Sequence, residues 1–247
     1  MSEEQPDSKK NFQLPNLQSL TSLIDESIFS VFKILDAVGL GAATKRGTWQ
    51  VATGLLKQAF KLAFSFQVRG VENIPAMDPA IIVTRSSAGA YPILACLAVS
   101  ESRPTRILHQ VFDIEFFKIT GIRSLLHEID AIEVSDAKLP PPSLDILERF
   151  LLENELVGMT LAHEKREGDT KEIVDDTDVI NVAINANVPI VPVQIPNVDD
   201  VLDVKTGRVS LNQKITVTIC EPYTKHLEGV PASDCIDELQ ALINMVE

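Results

Sequence analysis

The sequence predicts an α/β fold: a mostly parallel central sheet flanked by helices, preceded by an N-terminal helical hairpin. Three observations carry this. From residue 66 onward, short β-branched runs alternate with helical or loop segments, the pattern of a parallel sheet covered on both faces. Ile81, Ile82 and Val83 form an unbroken apolar run that ends in a polar turn, as a strand buried on both sides does. Before residue 66, apolar residues recur at three- and four-residue steps, which is one face of a helix.

Taken in order, Leu17, Leu20, Ile24, Ile28, Val31, Leu35 and Val38 mark the first helix, and Gly39 and Gly41 end it. A second helix runs from about Thr48 to Ser65, with Val51, Leu55, Ala59 and Leu62 on one side. The expected strands are Ala80–Thr84, Arg106–His109, Ala131–Val134, Val157–Leu161, Pro189–Ile195 and Ile215–Cys220. The expected helices between and after them are Tyr91–Val99, Glu115–Leu126, Pro142–Glu153, Thr177–Asn185 and Ala232–Met245. KLPPPS (138–143) reads as a stiff connector, with Ser143 capping the helix after it. The expected organisation is a disordered tail over 1–13, a helical pair over 14–65 and one α/β domain over 66–247.

At 247 residues the chain supports one substantial core. Its 45% apolar and 23% charged content is ordinary for a globular protein. The net charge of -13 argues against nucleic acid as a partner. Cys96, Cys220 and Cys235 are scattered and suggest neither zinc nor a disulfide framework. The polar start MSEEQPDSKKNFQ is not a secretory signal, and no run approaches the roughly 18 apolar residues of a membrane span. The expected setting is cytoplasmic, or peripheral to a membrane on its cytoplasmic side. Neither GxGxxG nor GxxxxGK[ST] occurs; no cofactor and no metal are expected.

One local reversal of charge stands out. From Ala37 to Val71 there are five basic residues and no acidic one. Lys45, Arg46, Lys57 and Lys61, with Trp49, on an amphipathic helix suit an anionic membrane surface. The alternative is a helical hairpin packed on its own domain with its lysines solvated.

Several stretches resemble a known family. FQVRGVENIPAMDPAIIVT (66–84), RILHQVFDIEFFKITGIRSLLHEIDAIEVSD, GMTLAHEKREGD, VAINANVPIVPVQI and KITVTICEPYT come in the order of segments in the glycerophospholipid acyltransferases of the lysophosphatidic acid acyltransferase type. The resemblance covers about three-quarters of the chain, residues 66–247, and the helical preamble occupies the place of that family's membrane-docking helix pair. It implies the family's α/β fold and a histidine and an aspartate, with four residues between them, at the turn after the first strand of the domain. That histidine would take the proton from a glycerol hydroxyl, which then attacks an acyl thioester. Imidazole suits this because it exchanges a proton near neutral pH.

Here the histidine position is Arg85 and the aspartate position is Ala90. A guanidinium has no lone pair to offer a proton, and alanine orients nothing. The later motifs drift as well. Asp130–Asp136 reads DAIEVSD where a Gly…Arg pattern belongs. Glu164 matches the third motif's glutamate, but Ala162, His163, Lys165, Arg166 and Glu167 replace its neighbours. A one-residue shift would let Arg166 serve as the phosphate-binding arginine.

Other histidines offer less. His163 beside Glu164 is the candidate for a displaced base; the alternative is an exposed histidine in a charged turn. His109 and Asp113 are four apart, but His109 ends a strand, so helical proximity does not follow; His127 reads as structural near a helix end, and His226 as surface. Ser86 and Ser87 lack a nucleophile elbow and read as caps for the helix beginning near Tyr91. The functional expectation is a catalytically degenerate acyltransferase-like protein. Arg85, Ser86, Ser87, Lys165 and Arg166 would hold a phosphate or carboxylate head group, and an apolar groove would take a lipid or acyl chain. The alternatives are an active acyltransferase using His163 and an interaction scaffold that partners an active relative.

Overall fold

The computed structural model describes residues 44–244 apart from 88, 119–122, 124, 125, 128, 135–138, 168, 169, 176, 197, 199–201, 204–207 and 210–212. The expected tail and first helix lie outside the described residues. Helix α1 (Thr44–Ala63) opens the described chain and leads into strand β1 (Ser65–Arg69). Then come β2 (Ala80–Thr84), α2 (Tyr91–Ser102), β3 (Leu108–Asp113), α3 (Ile114–Phe117), β4 (Ile132–Val134), α4 (Pro141–Leu152) and β5 (Leu156–Thr160). The remainder is β6 (Ala162–Glu167), β7 (Thr170–Asp175), α5 (Asp178–Ala186), β8 (Ile190–Gln194), β9 (Leu202–Asp203), β10 (Arg208–Val209), β11 (Lys214–Ile219) and α6 (Ala232–Asn244).

Seven strands form one sheet in the order β1-β11-β8-β2-β5-β3-β4. Its ladders are parallel except β11 against β8. The α/β fold with a mostly parallel sheet flanked by helices is therefore as the sequence predicts. β2 lies in the middle, paired with β8 on one side and β5 on the other, and all five of its residues are buried. Alternate β2 residues feed two cores. Ala80 and Ile82 pack with α2 on one face. Ile81 and Val83 pack with α4, α5 and α6 on the other.

α2 is buried nearly all round, from Tyr91 to Ser100 apart from Ile93. A helix apolar on every side needs cover on every side. The sheet supplies one cover and α1 the other, because α1 packs directly on α2. This is why Trp49, expected at a membrane face, is 1% exposed and belongs to the core. Ser100 Oγ bonds Thr53 Oγ1 across the joint at 2.8 Å.

The amino edge of the sheet is held by Arg106, 7% exposed. Its guanidinium donates to the carbonyls of Pro75 (3.2 Å), Asp78 (2.7 Å) and Asn154. One side chain thus ties the loop before β2 to the turn before β5. Burial pulls its pKa below the ordinary guanidinium value.

Two local expectations are corrected. Ser143 is no cap: α4 begins earlier, at Pro141, with Pro140 as the flanking residue and no side-chain cap bond. Proline suits a first turn because its missing N–H is not needed there. His226 is not surface. It is 2% exposed, stacked on Tyr223, with Nε2 at 2.9 Å from the Val188 carbonyl. Nε2 therefore carries the proton, and the buried Nδ1 has no hydrogen-bond partner.

These contacts have measurable consequences. Arg106→Met leaves three carbonyls without their donor and lowers unfolding stability by about 3 kcal/mol in urea titration. Burial holds His226 below its ordinary value of 6.5, so the unfolded chain binds its proton first as pH falls. Stability therefore drops as pH is lowered from about 7 through 6.5, and His226→Leu flattens this limb. The Glu101 carboxylate, lowered by its hydrogen bond to Lys57, adds a separate loss only below its ordinary value of 4.5.

Candidate functional site

Parallel pairing brings the carboxyl ends of β2, β5, β3 and β4 to one edge. Thr84 is in register with Thr160, and Asp113 with Val134. Ligands of open α/β sheets bind outside this edge, because the loops there leave adjacent strands in different directions. The chain leaving β2 makes a six-residue turn, 85–90, before α2.

The turn is fixed by backbone bonds to the neighbouring strands. The Asp113 N–H donates to the Ser87 carbonyl at 3.1 Å, and the Leu161 N–H to the Thr84 carbonyl at 3.3 Å. Thr84 Oγ1 donates to the Ser86 carbonyl at 3.3 Å. Gly89 takes a positive φ of 64°, a left-handed bend that alanine or serine would adopt only with strain. Ala90 comes next and flanks α2 with no side-chain cap bond. Ser86 and Ser87 precede this flanking residue by four and three positions.

Arg85 is exposed and makes no hydrogen bond or ion pair to any described residue. It stands at the end of the central strand, close in the chain to the N-terminus of α2, whose flanking residue is Ala90. Both features are electropositive, in a chain of net charge -13. Ser87 is buried and Ser86 half-buried in the same turn. Ala90 is fully buried, and its methyl group has no atom that could orient a base.

The third stretch folds in a way the sequence does not predict. HEKREGD is not a loop: His163, Glu164, Lys165 and Arg166 lie on β6, which pairs antiparallel with β7 as a hairpin. Leu161 alone separates β6 from β5, so the hairpin is rooted beside the end of β2. His163 pairs in register with Val174, Glu164 with Ile173, Lys165 with Glu172 and Arg166 with Lys171. At roughly 3.4 Å per residue, Arg166 lies about 17 Å along the hairpin from Leu161. The side chains of 162–175 lie outside the described residues.

His109 and Asp113 are separated by the strand itself. Four residues of strand span about 13 Å. His109 is buried and stacked on Phe150, with ring centroids 3.7 Å apart. Asp113 instead ends at the site edge, tied to Ser87; sequence spacing could have placed it there only with β3 extended to its true end. His127 is exposed, accepts from Arg123 Nε at 3.4 Å and lies edge-on to Phe117, with ring centroids 5.7 Å apart. Gln110 is fully buried at the middle of β3, over Gly158, where an added Cβ would lie 1.9 Å from the Gln110 amide oxygen.

The membrane-contact set divides. Arg46 lies 3.8 Å from Glu155, and Lys57 is ion-paired with Glu101. Lys61 is exposed, the Lys45 side chain lies outside the described residues, and Trp49 is buried. No helix among the described residues is long and apolar enough to cross a membrane. Among the described residues no group of three His, Cys, Asp or Glu side chains could hold a metal ion.

No family model matches the chain, and no curated protein matches it. Among solved structures, it is similar to the crystal structure of the 1-acyl-sn-glycerophosphate (LPA) acyltransferase PlsC from Thermotoga maritima. The identity is 16% and the TM-score 0.49, over 94% of this chain and 82% of that one.

The burial of Ala90 in the core generates a prediction. Arg85→His with Ala90→Asp restores the two residue types, but the aspartate enters a fully buried position where an ion is costly. The double variant cleaves acyl thioester no faster than buffer and melts below the parent. Turnover well above that of Arg85→His alone would contradict this.

Proposed function

We propose that this chain is a catalytically degenerate relative of the glycerophospholipid acyltransferases. In this reading it holds a lipid's phosphate or carboxylate head group at the carboxyl edge of its sheet without acylating it. The single observation that carries the reading is Arg85: an exposed guanidinium with no described partner, at the end of the central strand, where the resemblance calls for a base. A guanidinium is suited to a planar, two-pronged grip on phosphate or carboxylate. It is unsuited to accepting a proton from a hydroxyl. The start of α2 adds N–H groups and dipole of the same sign, and Ser86 and Ser87 add hydroxyls to the turn. The order of the five resembling stretches supports the family part of the proposal.

A second reading keeps catalysis by moving the base to His163. What favours it is the hairpin root, which starts one residue beyond β5. Under that reading, thiol release from an acyl thioester requires His163 and not Arg85.

Calorimetric titration with oleoyl lysophosphatidic acid separates the two. The expected result is saturable binding that weakens about tenfold in Arg85→Gln, as loss of a charge-assisted hydrogen bond implies, with no binding of lysophosphatidylcholine. With acyl thioester added, the lysolipid stays unacylated. Acylation that disappears in His163→Gln would establish the second reading and end the first.

A further inference from the structure

We infer that the amino edge of the sheet, opposite the Arg85 turn, is where this chain pairs with a second copy of itself about a two-fold axis. The inference goes beyond head-group binding at Arg85 and does not depend on it.

Among the described residues, five large apolar side chains are exposed: Val51, Met77, Leu152, Ile184 and Leu227. Val51 is on α1, and the other four gather at one edge. Met77 lies three residues before β2, Leu152 four before β5 and Ile184 six before β8. These three strands are neighbours and parallel, so the segments that enter them lie side by side. Leu227 is on the 3-10 turn Lys225–Glu228, just after the bridge from Tyr223 to Ile190 at the start of β8. Contacts join the four into one strip. Arg106 donates to the carbonyl of Asp78, next to Met77, and to that of Asn154, two residues beyond Leu152. One guanidinium thus draws together the two most exposed of these side chains, Met77 at 79% and Leu152 at 73%. Asn185 Nδ2 donates to Glu148 Oε1 at 2.8 Å, which sets Ile184 beside the last turn of α4. α5 in turn packs on the 3-10 turn that bears Leu227. The interior does not ask for Leu152, because Leu147, Phe150 and Leu151 already form the buried face of α4. A single exposed leucine needs no explanation, but a contiguous apolar strip marks a binding surface.

The charges around the strip say what covers it. Arg149 stands with Glu153, Arg46 with Glu155, and Lys225 shares its turn with Glu228. Each place has one charge of each sign, in a chain with 35 acids against 22 lysines and arginines. A patch built for an acidic or a basic partner would carry a single sign. A patch that meets its own image must carry both, so that each charge finds its opposite across the axis. The size fits as well. Elements packed about 10 Å apart give α4, α5 and the 3-10 turn a combined face about 30 Å across. A standard interface of roughly 800 Å² per partner is a disc of about that width. Pairing at this edge leaves the carboxyl edge of both copies open.

Sedimentation equilibrium of the full chain tests this. The expected mass at about 100 µM is twice the 27.1 kDa of one chain, with a dissociation constant on the order of micromolar. Leu152→Asp with Ile184→Asp places carboxylates in the joint and raises that constant more than about a hundredfold. Val51→Asp, outside the strip, leaves it unchanged. Arg46→Glu with Arg149→Glu turns the rim to a single sign. That variant dissociates at low salt and pairs again near 0.5 M salt, where the repulsion is screened to within about 4 Å. All three variants keep the circular dichroism of the parent. A parent that stays monomeric overturns the inference and leaves residues 1–43 or a different protein as the occupant. A dimer that survives Leu152→Asp with Ile184→Asp, that is lost in Val51→Asp, or that ignores the reversed rim overturns it too. Arg85→Gln separates this inference from the proposed function: head-group binding falls while the dimer persists.

Discussion

The structure depends on the burial of β2 between β8 and β5, with a core on each face. A strand enclosed on four sides offers chemistry only at its ends. Its five residues are all buried, so its sequence is set by packing alone, and Ala-Ile-Ile-Val-Thr satisfies that. The turn beyond the strand, residues 85–90, is free of this demand. It is held by backbone bonds from Asp113 and Leu161 and by the Thr84 hydroxyl, and these hold whatever side chains the turn bears. Such a turn can exchange an imidazole for a guanidinium without disturbing the fold. This separation of scaffold from site is what the proposed reading, an acyltransferase-like fold without its base, requires.

The opposite edge has a different logic. There Arg106 is enclosed, and its charge is spread over three carbonyls from loops distant in sequence. Two arginines at the two ends of one sheet thus do unlike things. Arg106 directs three hydrogen bonds into the domain. Arg85 directs none among the described residues. The difference is partner supply, which decides whether a guanidinium serves stability or awaits a ligand.

Much of the scaffold was legible in the sequence, and the reasons are specific. β2 and the start of α2 fall where expected because an unbroken apolar run and a subsequent apolar helix leave no other assignment. Strand ends drifted by a few residues at β3, where Gln110 and Asp113 interrupt the apolar signal although Gln110 is fully buried. The β6–β7 hairpin was invisible: HEKREGD and TKEIVDD are charged at nearly every position and carry no burial pattern. His226 was misjudged because its burial comes from Val188, 38 residues away. Trp49 was misjudged because only the all-round burial of α2 reveals that a second cover is needed. The candidate position Arg85, at the end of β2, was legible in the sequence. The identity of its neighbour Asp113 was not, since pairing across β5 brings it there.

The central claim is that the carboxyl edge binds an anionic head group and leaves it chemically unchanged. The most direct measurement tracks the Arg85 side-chain Nε–H resonance by NMR while short-chain lysophosphatidic acid is titrated in the presence of an acyl thioester. The account predicts a saturable shift of that resonance, with both lipid and thioester recovered intact. An unmoved resonance, or lysolipid recovered as the diacyl product, would contradict it.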